Sequence, residues 1–358
     1  MSGVPHTIDD ITSDWLTSVM ADTAGGGRVT LADAAPLDGV ASFQGNLIRA
    51  RIEAEAGAPE SIVVKMVPEN EALRGIGRQL GIYAREAAFY MSIGPDAGVR
   101  QPACYGAEIE HDTGDSAIVM QDLSALRTGD QISGFSLSEA ERAVDQYAVL
   151  HARWWNDSRL KSFEWLPPWN LPAMVAYLPQ AFKQQAWPAC AALFADMFGD
   201  VENKLGLLLG EHVATLMDLI GTGPTTLVHG DARHDNLMFS ADDNAAPHMV
   251  DWQYVASGRG IVDIAYYLSQ SGDPDVVAPV EQALVMRYHG ALETHGVTGY
   301  GWDECWADYR RLALYTLVYP IFTAALIDPA AAAQKQALGV ILSRGMDAAQ
   351  RLDSAALV

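Results

Sequence analysis

The chain has 358 residues, 49% of them hydrophobic and 19% charged, which excludes a disordered polymer and leaves room for two lobes and a sizeable core. Against 23 bases stand 45 acids, for a net charge of −22. That excludes the clustered Lys and Arg of a nucleic-acid footprint and leaves an acidic surface that serves solubility or receives a cationic substrate.

Cys104, Cys190 and Cys305 are far apart and odd in number, so a reducing compartment and no disulfide framework are expected. Residues 1–20 are polar and acidic, without the pattern of a signal peptide, and a cytoplasmic location follows as an expectation. A first helix is predicted over 8–20, with Asp9, Asp10 and Ser13 near its start and Gly25, Gly26 and Gly27 after it. Residues 31–67 read as three strands. In the second, Ile48, Ala50 and Ile52 alternate with Arg49, Arg51 and Glu53. The third, SIVVKMV over 61–67, carries one cation, Lys65, in a β-branched run. A lysine there is an edge-strand guard or needs an anionic partner.

Residues 70–93 predict a helix, from Leu73, Ile76, Leu80, Tyr83, Ala87 and Tyr90 at helical spacing. Glu86 lies late in it, and an ion pair with Lys65 would satisfy both charges. Two more strands are expected around 104–108 and 116–121. The linker after Asp122, Leu123 and Ser124 marks a boundary between a small mixed lobe, 1–123, and a larger helical one, 124–358. A helix over 138–155 is predicted to be capped by Ser138 with Glu141, and to bury Ala140, Ala143, Val144, Tyr147, Leu150 and His151. Trp154, Trp155, Trp165, Trp169 and Trp187 then supply aromatic area, either to the core or to a pocket for a hydrophobic alcohol. The apolar stretch 312–327 is short for a membrane span and contains Pro320, so a buried helix is expected there. A last helix is expected to start at Asp328 and Pro329.

The chemistry concentrates in 227–251, LVHGDARHDNLMFSADDNAAPHMVD. This stretch reads as a strand, a polar loop, a second short strand and a carboxylate. Phosphoryl transfer needs a backbone cradle and a cation on the phosphates, oxygen ligands for Mg²⁺, and a carboxylate to take the proton of the attacking hydroxyl. Asp231, in a loop with Gly230, suits the base. Asn236, five residues on, and Asp251, fifteen further, offer hard oxygens for Mg²⁺. Lys65 held by Glu86 would reach phosphate, and the loop from Gly39 through Ser42 to Gly45 could face it with backbone N–H groups.

The spacing His-Gly-Asp-x4-Asn, in HGDARHDNLMF, resembles the catalytic loop of the aminoglycoside phosphotransferase and choline kinase superfamily. VDWQ with SGRGIVDIAYYL, and also EAAFY, VMQDL and LHARWW, are similar to its ecdysteroid-kinase-like subgroup of small-molecule kinases. The resemblance spans about 37 to 270. It implies an α+β, protein-kinase-like two-lobed fold: an antiparallel sheet lobe with one helix, then a mainly helical lobe. It implies ATP and Mg²⁺ as cofactors, with Asp231 as base, Asn236 and Asp251 as metal ligands, and Lys65 paired with Glu86 on phosphate. Met120, Gln121, Asp122 and Leu123 would line the adenine. His229 and Asp263 would support the catalytic loop. The sequence departs from the family in Ser42, Phe43 and Gln44 within the phosphate loop, and in Gln121 where a glutamate is common. The implied partner is a small-molecule alcohol acceptor, with no nucleic acid and no membrane insertion.

Three other readings stand beside this one. His229, Asp231, His234 and Asp235 could form the metal cluster of a hydrolase. The chain could bind nucleotide without catalysis. A protein kinase would need an activation segment, and only about a dozen residues separate Asp251 from Asp263. Arg233 could touch substrate or phosphate, and His234 and Asp235 face solvent or substrate.

Overall fold

The computed structural model describes residues 3–37, 45–54, 59–242 and 244–358. They fall into two compact units: Met1–Arg127 with His248–Val255, and Thr128–Pro247 with Ala256–Val358. The first unit thus takes in the segment that carries Asp251.

That unit is built on a five-stranded antiparallel sheet of β1 (Thr30–Pro36), β2 (Asn46–Glu53), β3 (Ser61–Met66), β4 (Cys104–Ile109) and β5 (Ser116–Gln121), in the order β1-β2-β3-β5-β4. Alternation along β3 sends Ile62, Val64 and Met66 into a core with Trp15, Leu16 and Met20 from the N-terminal segment. Leu16 is fully buried there, a burial that contributes about 1.5–3 kcal/mol. Lys65 pairs through its backbone with Leu47 on β2 and Ile118 on β5. It therefore sits on an interior strand, and the edge-strand alternative fails.

The first predicted helix is two pieces, a 3-10 turn at Ile8–Asp10 and a helix at Ser13–Val19 whose N-cap Thr12 accepts from the Trp15 N–H. The helix predicted over 70–93 is also divided. Glu71–Leu80 ends at Gly81, which adopts φ +65°, and Ile82–Ala88 restarts beyond it. A left-handed residue is cheap only for glycine, so Gly81 turns the chain while Tyr83, Ala87 and Tyr90 continue the buried face.

The second unit is mainly helical. Its helix Ile261–Ser271 is buried at every residue, with Trp302–Tyr315 and Leu137–Arg153 packed against it. Such all-round burial needs a helix that is apolar on all sides, and IVDIAYYL is nearly that. The strands Thr226–Val228 and Ala256–Gly258 pair antiparallel. The helix Leu137–Arg153 buries the six predicted residues, but its cap is Ser136 with Glu139 rather than Ser138 with Glu141. Both pairs fit the same capping box, and the outer one adds a further helical hydrogen bond, Ala140 N–H to the Ser136 carbonyl. Asp328 caps only a turn, accepting from the Ala330 N–H, and the last helix begins at Ala332. The stretch 312–327 is divided between the helices Trp302–Tyr315 and Val318–Ala324. Among the described residues no helix is long and apolar enough to cross a membrane.

Candidate active site

In the second unit the strand Thr226–Val228 leads into the loop that carries His229, Gly230 and Asp231. Gly230 adopts φ +80°, a conformation that favours glycine, and so turns the chain directly before Asp231. The Asp263 carboxylate, 1% exposed, lies in the first turn of the helix Ile261–Ser271. It accepts the His229 N–H at 2.7 Å and the Gly230 N–H at 3.0 Å, and meets His151 Nε2 at 3.1 Å. His151 Nδ1 meets the Tyr288 phenol at 2.9 Å. A buried carboxylate with two backbone donors and an imidazole is well satisfied, and the loop cannot shift without breaking these bonds.

Asp231 is held in turn. Asn236 Nδ2 donates to its Oδ2 at 2.9 Å and to its main-chain oxygen at 2.8 Å. Arg233 Nε donates to the same Oδ2 at 3.1 Å, and the Tyr266 phenol donates to Oδ1 at 3.3 Å. His229 is fully buried, and its Nδ1 accepts the Asp231 N–H at 3.3 Å. His234 does not face solvent: it is buried, with Nδ1 against the Tyr267 phenol at 3.1 Å. Asp235 Oδ1 accepts the Gln131 N–H at 2.6 Å. Of the hydrolase reading's cluster, His229, His234 and Asp235 are thus engaged in hydrogen bonds within and around the loop. Among the described residues the His/Cys/Asp/Glu group close enough to share an ion is His6, Glu110 and Asp115, not this one.

In the first unit Lys65 Nζ lies 2.7 Å from Glu86 Oε2, 2.9 Å from Oε1 and 3.0 Å from Asp251 Oδ1. Glu86 Oε1 also accepts the Trp252 N–H at 3.2 Å, and Trp252 stacks on Phe89 at 4.1 Å. Asp251 adopts φ +66°, a left-handed conformation that aspartate tolerates better than most residues. Burial pushes the Lys65 ammonium down, but Asp251 and Glu86 outweigh it and hold it above its usual value. Burial raises the Glu86 carboxyl, and Lys65 offsets this only in part. The Lys65 direction follows from two carboxylates beside one cation, and the Glu86 direction from its burial.

The remaining predicted positions divide. Met120 and Gln121 end β5. Asp122 accepts from Ser61 Oγ at 2.6 Å and forms an ion pair with Arg49, whose Nε lies 3.0 Å away, and Leu123 is buried. Gly45 is buried, whereas Gly39 and Ser42 lie outside the described residues. Trp154 and Trp187 belong to the core; Trp169 lies half-buried against Tyr315. Sequence reasoning missed Tyr266, although it stands three residues after Asp263 and so shares its helix face.

These elements define a protein of the kinase-like phosphotransferase fold. At 16% identity and a TM-score of 0.54, the chain is similar to a putative aminoglycoside phosphotransferase from Ralstonia eutropha JMP134, over 96% of this chain and 95% of that one. The complex of APH(2″)-IIIa with GDP and kanamycin matches at 13% identity and a TM-score of 0.55, over 91% and 94%. Macrolide 2′-phosphotransferase MphH from Brachybacterium faecium matches at 16% and 0.50, over 92% and 98%. No functionally curated protein sequence matches. The profile of the ecdysteroid kinase-like family matches residues 40–297, and the chain belongs to that family.

Proposed function

We propose that the protein is an ATP-dependent phosphotransferase that moves the γ-phosphoryl group to a hydroxyl of a hydrophobic small-molecule acceptor. The observation that carries this reading is the Asp231 carboxylate, oriented by Asn236 and Arg233 in a loop that Gly230 and Asp263 hold rigid. Asp231 accepts the hydroxyl proton as the oxygen attacks phosphorus, and the bond to the departing ADP breaks. Lys65, positioned by Glu86, binds phosphate oxygens. Residues 1–123 serve the nucleotide, with the backbone of Met120–Leu123 against adenine and the loop from Gly39 through Ser42 to Gly45 over the phosphates. Residues 124–358 supply the base and the acceptor pocket. His229 and Asp263 support the loop.

Asn236 and Asp251 would hold Mg²⁺. Both amide hydrogen bonds of Asn236 run from Nδ2 to Asp231, so its carbonyl oxygen suits a hard cation, and an amide with a carboxylate is a fitting donor set. The bound ion supplies charge neutralisation on the phosphates. The family's name points to a steroid-type alcohol, and the GDP in the APH(2″)-IIIa complex supports a purine nucleotide. ATP consumption screened against a mixed alcohol library tests the reading. Asp251→Ala is expected to abolish Mg²⁺-dependent nucleotide binding; unchanged Mg·ATP affinity in calorimetry contradicts it.

A further inference from the structure

The two oxygens of Asp231 have different neighbours. Oδ2 already accepts from Asn236 and Arg233, at 2.9 and 3.1 Å. Oδ1 meets the Tyr266 phenol at 3.3 Å, beyond the usual range for an O–H···O bond. Such long contacts at a base commonly tighten or exchange when substrate arrives. Tyr266 follows Asp263 by one helical step of three residues, so one helix face both braces the loop and covers the base.

The Tyr266 ring begins a run of aromatic side chains. It stacks on Tyr319 at 4.9 Å and 27°. Tyr319 meets Tyr315 edge-on at 6.5 Å, and Tyr315 meets Trp169 at 6.1 Å while accepting its indole N–H at 3.0 Å. Tyr266 and Tyr315 are buried, whereas Tyr319 and Trp169 keep partly accessible surface. Burial holds the Tyr315 and Tyr319 phenols above their ordinary value, so they stay neutral. These side chains offer ring surface, and the carboxylate beside them is that of Asp231.

We infer that Tyr266 and Tyr319 orient and select the acceptor: Tyr266 donates to the acceptor's hydroxyl oxygen, that hydroxyl donates to Asp231 Oδ1, and an uncharged ring body lies against Tyr319. The inference rests on the phosphotransferase reading. In the step, the hydroxyl proton passes to Asp231 Oδ1, the alcohol oxygen forms the new bond to phosphorus, the bond to ADP breaks, and Tyr266 keeps its proton.

The probes are 2-naphthaleneethanol, which carries a flat ring, and kanamycin, a polycation. Binding is measured by calorimetry and phosphorylation by ADP release with Mg·ATP. Wild type is expected to bind 2-naphthaleneethanol in preference to kanamycin. Tyr319→Ala is expected to weaken that binding about tenfold, equivalent to about 1.4 kcal/mol, and Tyr319→Phe, which keeps the ring, to restore it to within about twofold. Tyr266→Phe keeps the stack and loses the donor, so kcat is expected to fall about tenfold with KM for the alcohol nearly unchanged. Wild-type binding in Tyr319→Ala, no binding by wild type, or a preference for kanamycin overturns the inference. If kanamycin is phosphorylated equally by wild type and Tyr319→Ala, the aromatic seat falls while the phosphotransferase stands. If binding depends on Tyr319 but no nucleotide turns over, the seat stands, and the role of Tyr266 falls with the phosphotransferase reading.

Discussion

The Asp231 loop and the Lys65 centre are held by different sets of contacts. Around Asp231 the restraints are directional hydrogen bonds: two backbone donors on Asp263, an amide and a guanidinium on Asp231, and an imidazole between Asp263 and Tyr288. Around Lys65 a single ammonium serves two carboxylates inside a sheet and helix framework. The first arrangement fixes where a proton acceptor points. The second fixes a charge balance, through charge-assisted hydrogen bonds from one ammonium to two carboxylates. The base proposed at Asp231 needs the former, and the phosphate-binding cation proposed at Lys65 is well served by the latter.

The largest expected effect that separates the two regions is on stability. Asp263→Ala orphans two buried N–H groups and His151, and is expected to cost about 3–5 kcal/mol in urea unfolding, as for a broken buried charge site. A loss near 1 kcal/mol would mean that the loop is held by something else. Glu86→Gln keeps the shape and an acceptor for the Trp252 N–H but removes one charge beside Lys65. It is expected to cost about 1.5–3 kcal/mol, the scale of a hydrogen bond to a charged group, and to weaken Mg·ATP binding while leaving the Asp231 loop unchanged in amide exchange. Loss of protection in that loop would erase the distinction drawn between the regions.

A smaller effect tests the charge-held unit by pH. Asp115, fully buried, accepts two hydrogen bonds from Arg78, at 2.7 and 2.6 Å. Burial raises its carboxyl, and Arg78 more than reverses this, so its folded value lies below the usual 3.8. Between the two values the unfolded chain binds more protons. The stabilisation is therefore fully present above pH 3.8 and is lost as pH falls through the folded value. Asp115→Asn is expected to cost about 1 kcal/mol at pH 7 and to make acid unfolding less steep. An unchanged acid limb would contradict the assignment.

Much of the candidate site's geometry was legible because it is local. The spacing from Asp231 to Asn236 is set within one loop, and a lysine in a β-branched run narrows the reading to an edge-strand guard or a paired cation, the second of which Glu86 meets. Long-range and degenerate features were not legible. Ser136 and Ser138 offer overlapping capping boxes, and only the folded chain chooses between them. The period through Tyr83, Ala87 and Tyr90 continues past Gly81, so the break in the helix is hidden. His234 looked available for chemistry because nothing nearby in sequence reveals Tyr267 as its partner. Tyr266 could have been found by stepping three residues from Asp263 along the helix. The stacking of Tyr319 on Tyr266 joins positions too far apart in the chain for a periodic pattern to reveal.

The account depends most on Asp231 as the proton acceptor. The direct test is alcohol-dependent ADP formation by wild type and Asp231→Asn, with Mg·ATP binding measured alongside. The expected result is a fall in turnover of about 10²–10⁴ with nucleotide affinity nearly intact; turnover close to wild type in the asparagine variant would contradict the account.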